Sequence, residues 1–169
     1  KFSPAFADTR ISSTEETLLF FKEAGIYACF EVKGADASES KRIATTLLGL
    51  FQKHNVLDTM FMSAYNHDAL KLALAQCPEL RLAPERLPDD APADPPEAVR
   101  QVQSFPAPVL QHQYTVLTAE VMKALHDVDV AVWSWSTTDE ASLVLSIELG
   151  ADAVMGDDVQ LMLEVLNRM

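Results

Sequence analysis

The chain has 169 residues, of which 25 are acidic and 13 are basic, so its formal net charge is −12. A hydrophobic share of 49% is typical of a globular protein, and the length suits a single domain over residues 1–169. The negative charge argues against a nucleic-acid partner, and because no run of about 18 apolar residues occurs, we expect no transmembrane segment.

Short apolar runs alternate with amphipathic runs along the chain. The first helix is predicted at residues 13–24, where Ser13 and Glu16 form a capping box and Gly25 ends the helix. Thr138 and Asp157 are the predicted N-caps of the last two helices. The predicted strands are 26–32, 59–64, 80–83, 109–113, 128–135 and 153–155, and the remaining helices are 38–53, 67–76, 96–104, 118–126, 138–150 and 157–169.

Six strands, each followed by a helix, indicate βα units and a parallel sheet. Right-handed crossovers leave two architectures, an open doubly wound sheet or a (β/α)₈ barrel. A whole barrel usually needs about 250 residues, so six units in this length fit six-eighths of a barrel better than a complete one. The sequence lacks a phosphate-binding glycine loop and the G-x-S-x-G motif of hydrolases, which weakens the open-sheet alternative.

The segment 84–96 differs from the rest of the chain because it contains five prolines and five charged residues. Such a segment cannot form the interior of a helix or strand. It follows the carboxyl end of a predicted strand, so it is a βα loop long enough to cover a site. The simpler interpretation is a mobile surface loop.

Glu31 and Lys33 form the sharpest local feature. They are two residues apart at the end of an apolar strand, so both side chains point to the same side. If that side is the interior of a barrel, the pair lies at the carboxyl end, where such folds place their active sites. The carboxylate could bind a hard cation and the lysine could neutralise a phosphate. An ion pair on the rim of the sheet is the alternative.

Polar and aromatic residues also follow the other predicted strands. Trp133 and Trp135 share one face by alternation, and alternation likewise decides whether His112 or its glutamine neighbours face inward. His54, His67 and His126 fall in or near helices and are predicted to be ordinary surface residues. The remaining candidates at strand ends are Ser63, Tyr65, Gln111, Gln113 and Asp157.

Several motifs in order resemble the glycerophosphodiester phosphodiesterase family, over essentially the whole chain. Glu31-Val32-Lys33 is similar to the family's Glu-Ile-Lys signature. Residues 2–15 are similar to the family's lead-in to the helix before its third strand. The other matching segments, with the family pattern in parentheses, are 63–70 (Ser-Ser-Phe followed by a helix), 78–82 (a proline before a strand), 132–136 (Val-Trp-Thr-Val-Asn) and 150–157 (Gly-Val-Asp-Gly-Ile-Ile-Thr-Asp).

The resemblance implies strands three to eight of a (β/α)₈ TIM barrel. It implies metal-dependent hydrolysis of a glycerophosphodiester to glycerol 3-phosphate and an alcohol, with Mg²⁺ or Ca²⁺ as cofactor. Glu31 would be a metal ligand and Lys33 would contact the phosphate. Ser63 and Tyr65 would line the substrate pocket, and Trp133 would form its wall.

In the family, an N-terminal His-Arg-Gly motif, a Glu-Asn-Thr motif, a Glu-x-Asp pair and an inserted His-Asp supply the two catalytic histidines and most metal ligands. None of these N-terminal segments has a counterpart here. We therefore expect the full-length protein to be the enzyme and these 169 residues alone to be inactive. Two alternatives remain, a non-catalytic or degenerate barrel domain that binds a phosphorylated small molecule, and another barrel phosphodiesterase of the phospholipase type. A cytoplasmic location is expected, with a periplasmic one also open, and the oligomeric state is unconstrained.

Overall fold

The computed structural model of the protein describes residues 8–169. The first six residues of the predicted family match at 2–15 lie outside this range. The described chain contains six strands and seven α-helices in alternation. The strands are β1 (Ala28–Glu31), β2 (Met60–Ser63), β3 (Arg81–Leu82), β4 (Val109–Gln113), β5 (Ala131–Thr137) and β6 (Ala153–Gly156). The helices are α1 (Thr14–Ala24), α2 (Ala37–His54), α3 (His67–Gln76), α4 (Pro95–Gln103), α5 (Ala119–His126), α6 (Glu140–Glu148) and α7 (Val159–Leu166).

All the strand pairs are parallel, and they follow chain order. The strands β1, β2 and β3 form one sheet, and β4, β5 and β6 form another. An isolated parallel bridge between Glu85 and Gln111 joins the two sheets directly after β3. Two backbone bonds support it, from Gln111 N to Pro84 O at 2.8 Å and from Arg86 N to Gln111 O at 2.9 Å.

The predicted α/β fold with parallel strands is confirmed, and the arrangement is a partial barrel. In the described residues β1 pairs only with β2, and β6 pairs only with β5, so no closed barrel is seen. None of the helices within residues 8–169 combines the length and the apolar content that crossing a membrane requires.

Alternate residues of each strand point to opposite faces of the sheet. We call the side toward the helices the outward face and the concave side the inward face. The outward face is mostly apolar, with the buried polar side chains of His112 and Ser134 as exceptions. Its first cluster lies around Leu48, Phe51, Met60 and Met62, and its second lies around Leu110, Leu125 and Val132, none of which exposes more than 2% of its surface.

Local signals fix most helix starts as predicted. Ser13 accepts from Glu16 N while Glu16 reaches back to Ser13 N, which is the predicted capping box. Two cap predictions are wrong by one residue: Asp139 replaces Thr138, and Asp158 replaces Asp157. In both places two residues able to cap are adjacent, and the one whose carboxylate reaches the N–H three residues on takes the role.

Candidate functional site

The inward face carries most of the predicted site residues. Glu31 pairs with Ser63 in the β1–β2 register, and Gln113 pairs with Trp135 in the β4–β5 register. Contacts between strands that are not neighbours show that these side chains face a common interior. The rings of Phe61 and Trp133 lie 5.0 Å apart between centroids, and Gln111 Nε2 lies 3.8 Å from Cys29 Sγ.

Alternation also settles the orientation of His112. Gln111 faces inward, where its amide donates to Ala83 O at 2.6 Å, whereas His112 is fully buried on the outward face. Burial lowers the pKa of His112, and its Nδ1 lies 2.9 Å from the carbonyl oxygen of Gln113. His112 is therefore a core residue and takes no part in the inward-facing site.

A cleft of about 570 Å³ opens at the carboxyl ends of the strands, and we call it the mouth. Its lining includes Glu31, Lys33 and Tyr65. Lys33 Nζ lies 3.1 Å from Glu31 Oε2, and the lysine side chain is 75% exposed. The ammonium group can therefore contact an incoming anion, as the spacing of the two residues predicts.

The turn after β1 brings the start of α2 close to this pair. A Cβ on Gly34 would lie 2.4 Å from Ser40 N, so only glycine fits where the chain passes the helix. Asp36 caps α2 by accepting from Glu39 N at 2.8 Å. Tight packing at Gly34 thus fixes where β1 ends and where Glu31 and Lys33 emerge.

The other predicted site residues lie deeper. Ser63 is 1% exposed and lies next to Glu31 by register. Trp133 lines a separate apolar cavity of about 370 Å³, with Phe61, Cys29 and Met155, toward the amino ends of the strands. The structure therefore brings Glu31, Lys33 and Tyr65 together in the mouth, while Trp133 lies below them. Its predicted role as a substrate wall stays a prediction.

Glu85 is the inward-facing residue that the sequence did not single out. It is 4% exposed, and its Oε2 is buried without a hydrogen-bond partner. Burial, followed by repulsion from Glu31, raises the pKa of Glu85 to about 8, while Lys33 and the indole of Trp135 act in the opposite direction. The side chains of Arg81, Ala83 and Glu85 occupy alternate positions and point into the interior. Extending the alternation of β3 beyond Pro84 would therefore have identified Glu85 as an inward-facing residue.

Tyr65 and Trp135 form an aromatic pair, and both lie near Glu85. Their ring centroids are 6.3 Å apart at an interplanar angle of 80°. Burial and the nearby carboxylates of Glu85 and Asp89 raise the pKa of Tyr65, so its hydroxyl stays protonated. His67 Nε2 donates to the carbonyl oxygen of Glu85 at 2.6 Å and is half-buried, so the prediction that His67 is an ordinary surface residue is wrong.

Buried polar contacts hold the proline-rich segment 84–96 in place. Arg86 is 2% exposed, donates to Pro88 O at 2.6 Å and to Pro92 O at 3.3 Å, and pairs with Glu97 at 3.1 Å. Gln101 Oε1 accepts from Leu87 N at 2.8 Å. The segment therefore has a fixed path beside the mouth, whereas proline content alone allowed a mobile loop.

The described residues supply a limited set of metal donors. No group of three His, Cys, Asp or Glu side chains within residues 8–169 is arranged to hold a cation. Ca²⁺ takes six to eight oxygen ligands, whereas Mg²⁺ is often held by one or two carboxylates, with water and substrate phosphate completing its coordination. Glu31 fits the second pattern, as one carboxylate beside an open cleft.

The fold can be compared with solved structures. A glycerophosphodiester phosphodiesterase from Parabacteroides distasonis ATCC 8503 superimposes with a TM-score of 0.76 at 18% identity, over 91% of this chain and 63% of that one. A phosphodiesterase from Oleispira antarctica, in complex with the product sn-glycerol-3-phosphate, gives 0.75 at 17%, over 91% and 60%. The enzyme from Thermotoga maritima gives 0.71 at 15%, over 95% and 66%.

The chain thus spans less than two-thirds of the length of each of these three structures. No protein-family model matches the sequence, and no curated protein matches it. The family resemblance noted in the sequence is confirmed at the level of structure: the chain has the fold of the glycerophosphodiester phosphodiesterases across most of its length.

Proposed function

We propose that the protein hydrolyses glycerophosphodiesters to glycerol 3-phosphate and an alcohol with the help of a divalent cation. The observation that carries the proposal is the pairing of Glu31 with the exposed ammonium of Lys33 in a cleft at the carboxyl ends of parallel strands. The fold comparisons support it, since the structural neighbours are phosphodiesterases.

Each mouth residue has a physical task in such a reaction. A phosphodiester carries a negative charge that repels nucleophiles, and Lys33 offsets part of it where charge develops in the transition state. Glu31 would hold Mg²⁺, which supplies further charge stabilisation when bound. The ring of Tyr65 offers apolar surface to the glycerol carbons. Water attacks phosphorus, the bond to the alcohol oxygen breaks, and the alcohol leaves with a proton.

We further propose that a complete (β/α)₈ barrel forms when the free edges of β1 and β6 pair with additional strands. Unpaired parallel edges expose rows of N–H and C=O groups, which favours association. Analytical ultracentrifugation of the 169-residue chain is therefore expected to show association or poor solubility. A soluble monomer with a cooperative melt would contradict the incomplete-barrel interpretation.

One observation favours a second candidate, a domain that binds a phosphorylated small molecule without turnover. All four histidines of the chain are in the described part, and none of them is among the residues that line the mouth. His54 pairs with Glu15, His126 pairs with Asp152, and His67 and His112 have the contacts given above. These 169 residues therefore offer no histidine general acid for the leaving alkoxide.

Hydrolysis of glycerophosphocholine by the full-length protein, with and without EDTA, separates the two functions. We expect the protein to release choline, and we expect EDTA to abolish that release. Glu31→Gln should lower the rate at least 100-fold, because the cation loses its carboxylate ligand. Glu148→Gln, on the exposed surface of α6, is the control with the same charge change. Activity that persists in EDTA would contradict the metal role, and binding without turnover would favour the second candidate.

A further inference from the structure

The bridge after β3 places two basic side chains next to each other in the core. Because Glu85 pairs with Gln111 in this parallel bridge, the next residues of the two segments, Arg86 and His112, are cross-strand neighbours on the outward face. His112 is fully buried and Arg86 is 2% exposed. The guanidinium is always charged, whereas the imidazole becomes charged only when it takes up a proton.

The surroundings of His112 favour the neutral ring. Its Nδ1 lies 2.9 Å from the carbonyl oxygen of Gln113, and because a carbonyl only accepts, Nδ1 carries the proton and Nε2 is a lone pair. Within residues 8–169, neither His112 Nε2 nor Arg86 Nε has a hydrogen-bond partner, so no acceptor is in place for a second ring proton. Burial is the main cause of the lowered pKa of His112, and Arg86 adds to it, while the Gln113 carbonyl and Glu97 act in the opposite direction.

The elements packed around His112 offer a second buried cation little compensation. Glu97 of α4 is the one nearby carboxylate among the described residues, and it already pairs with Arg86 at 3.1 Å. The other charged side chains of α4 and α5 are exposed, and across β5 the register partner of His112 is Ser134, whose hydroxyl pairs with Ser146. A proton on His112 would therefore create two adjacent buried cations that share one carboxylate, which is unfavourable.

The two sides of this pair are not held equally. His112 lies within β4, every residue of which pairs with β5. Residues 87–94 contain no helix or strand, and the guanidinium of Arg86 holds them through the carbonyl oxygens of Pro88, Ala91 and Pro92. Repulsion between the two cations is therefore relieved most easily when Arg86 moves away, and residues 87–94 then lose the group that holds them.

We propose that His112 and Arg86 form an acid-operated latch, in which a proton taken from solvent by His112 displaces Arg86 and releases residues 87–94. Asp89 in these residues lies beside Tyr65, which lines the mouth, so the release changes access to the cleft. The latch is a conformational device of the fold. It does not depend on the proposed hydrolysis, because it uses none of the residues assigned to that reaction.

The direction of the pH dependence follows from the two states of His112. In the open state water reaches the ring, which then has its ordinary pKa of 6.5, whereas the closed state has a lower pKa and binds a proton less readily. The latch is therefore fully closed above pH 6.5 and weakens as the pH falls below this value. One proton changes the equilibrium by at most tenfold per pH unit, so the open population can rise by about 30-fold at most between pH 7.5 and pH 5.

Hydrogen exchange of the full-length protein tests the latch, with protection expressed relative to the intrinsic exchange rate at each pH. We expect the protection of residues 87–94 to fall at least fivefold between pH 7.5 and pH 5, while β4 stays protected. His112→Asn cannot titrate, yet its amide can still donate to Gln113, and the fall should then be less than twofold. His126→Asn, which changes an exposed histidine on α5, should behave like the wild type.

The comparison at matched pH removes the contribution of Glu85, which titrates in all three proteins. Unchanged protection in the wild type, or an equal fall in His112→Asn, would overturn the latch. Loss of protection in β4 in step with residues 87–94 would indicate global acid unfolding and would also overturn it. If His112→Asn fails to fold, His112→Leu decides on the same measurement, because it fills the site without a titrating group. Hydrolysis of glycerophosphocholine at pH 7.5 is a separate result, and its absence would leave the latch intact.

Discussion

The outward and inward faces of the sheet are built from alternate residues of the same strands, yet they are filled differently. In β2, Met60 and Met62 face the helices and are fully buried, whereas Phe61 and Ser63 face the interior beside polar groups. The outward face contains mostly close-packed hydrocarbon, together with the buried imidazole of His112, whose Nε2 lacks a partner, and the Ser134–Ser146 hydroxyl pair. The inward face holds buried polar atoms without partners and an exposed ion pair near its carboxyl end. We therefore expect substitutions on the outward face to affect mainly stability and substitutions in the mouth to affect mainly the proposed activity, and the following experiments test this from the largest expected effect to the smallest.

Phe51→Ala tests the outward face. Phe51 is fully buried and packs edge-on against Phe30 at 5.6 Å between ring centroids. Removing a buried phenyl ring leaves a cavity and costs about 3–5 kcal/mol of unfolding free energy. Urea unfolding should show this loss, and exposed Phe20→Ala should cost less than about 1 kcal/mol. Equal losses would contradict the assignment of stability to the outward face.

Arg86→Met tests the buried contacts that hold the proline-rich segment. The buried guanidinium holds the carbonyls of the proline-rich segment and pairs with Glu97, so its loss leaves several groups without partners. We expect the free energy of unfolding to fall by about 3 kcal/mol. Limited proteolysis should then cut within residues 87–94. Arg100→Met, an exposed arginine on α4, is the control, and cleavage in both variants would show that Arg86 does not fix the segment.

The pH dependence of stability tests the burial of Glu85. The folded pKa of Glu85, about 8, lies above the ordinary value of 4.5, so the folded protein binds more protons than the unfolded chain between these values. Stability should fall as pH rises through this window, by at most about 1.4 kcal/mol per pH unit from this group. In Glu85→Gln the melting temperature should fall less steeply over the same window. Parallel curves for both proteins would mean that Glu85 is solvated.

Glu31→Gln should have the smallest effect on stability. The Glu31–Lys33 pair is open to solvent, and exposed ion pairs contribute about 0–1 kcal/mol. We expect a change in melting temperature of only a few degrees, measured by circular dichroism, together with the loss of hydrolysis described above. A large destabilisation by Glu31→Gln would mean that the mouth is part of the structural core.

Alternation and capping signals predicted most of the fold, because the outward face obeys simple hydrophobic periodicity. Strand limits were less certain: β5 begins three residues after and ends two residues after the predicted strand at 128–135, because the buried Ser134 pairs with Ser146 and Ser136 continues the strand despite its polar side chain. The sequence also predicted that Glu31, Lys33 and Tyr65 belong to one site, and the structure brings them together in the mouth, while their roles stay predictions.

Glu85 was not identified because Pro84 interrupts the strand pattern, and proline normally ends regular pairing. In the structure the chain continues in an extended path through Pro84, and the Glu85–Gln111 bridge carries the alternation one step further. Likewise, the approach of the Trp135 indole to Glu85 depends on the packing of segments that are distant in the sequence. Sequence spacing does not contain that information.

The most direct test of the central claim is phosphorus NMR of glycerophosphocholine turnover by the full-length protein with Mg²⁺. Lys33→Met removes a positive charge from the mouth, and Lys123→Met removes one from the exposed surface of α5. We predict that the glycerol 3-phosphate signal grows at the wild-type rate in Lys123→Met and at least 100-fold more slowly in Lys33→Met. Equal rates in the two variants would contradict the assignment of the mouth as the phosphodiester site.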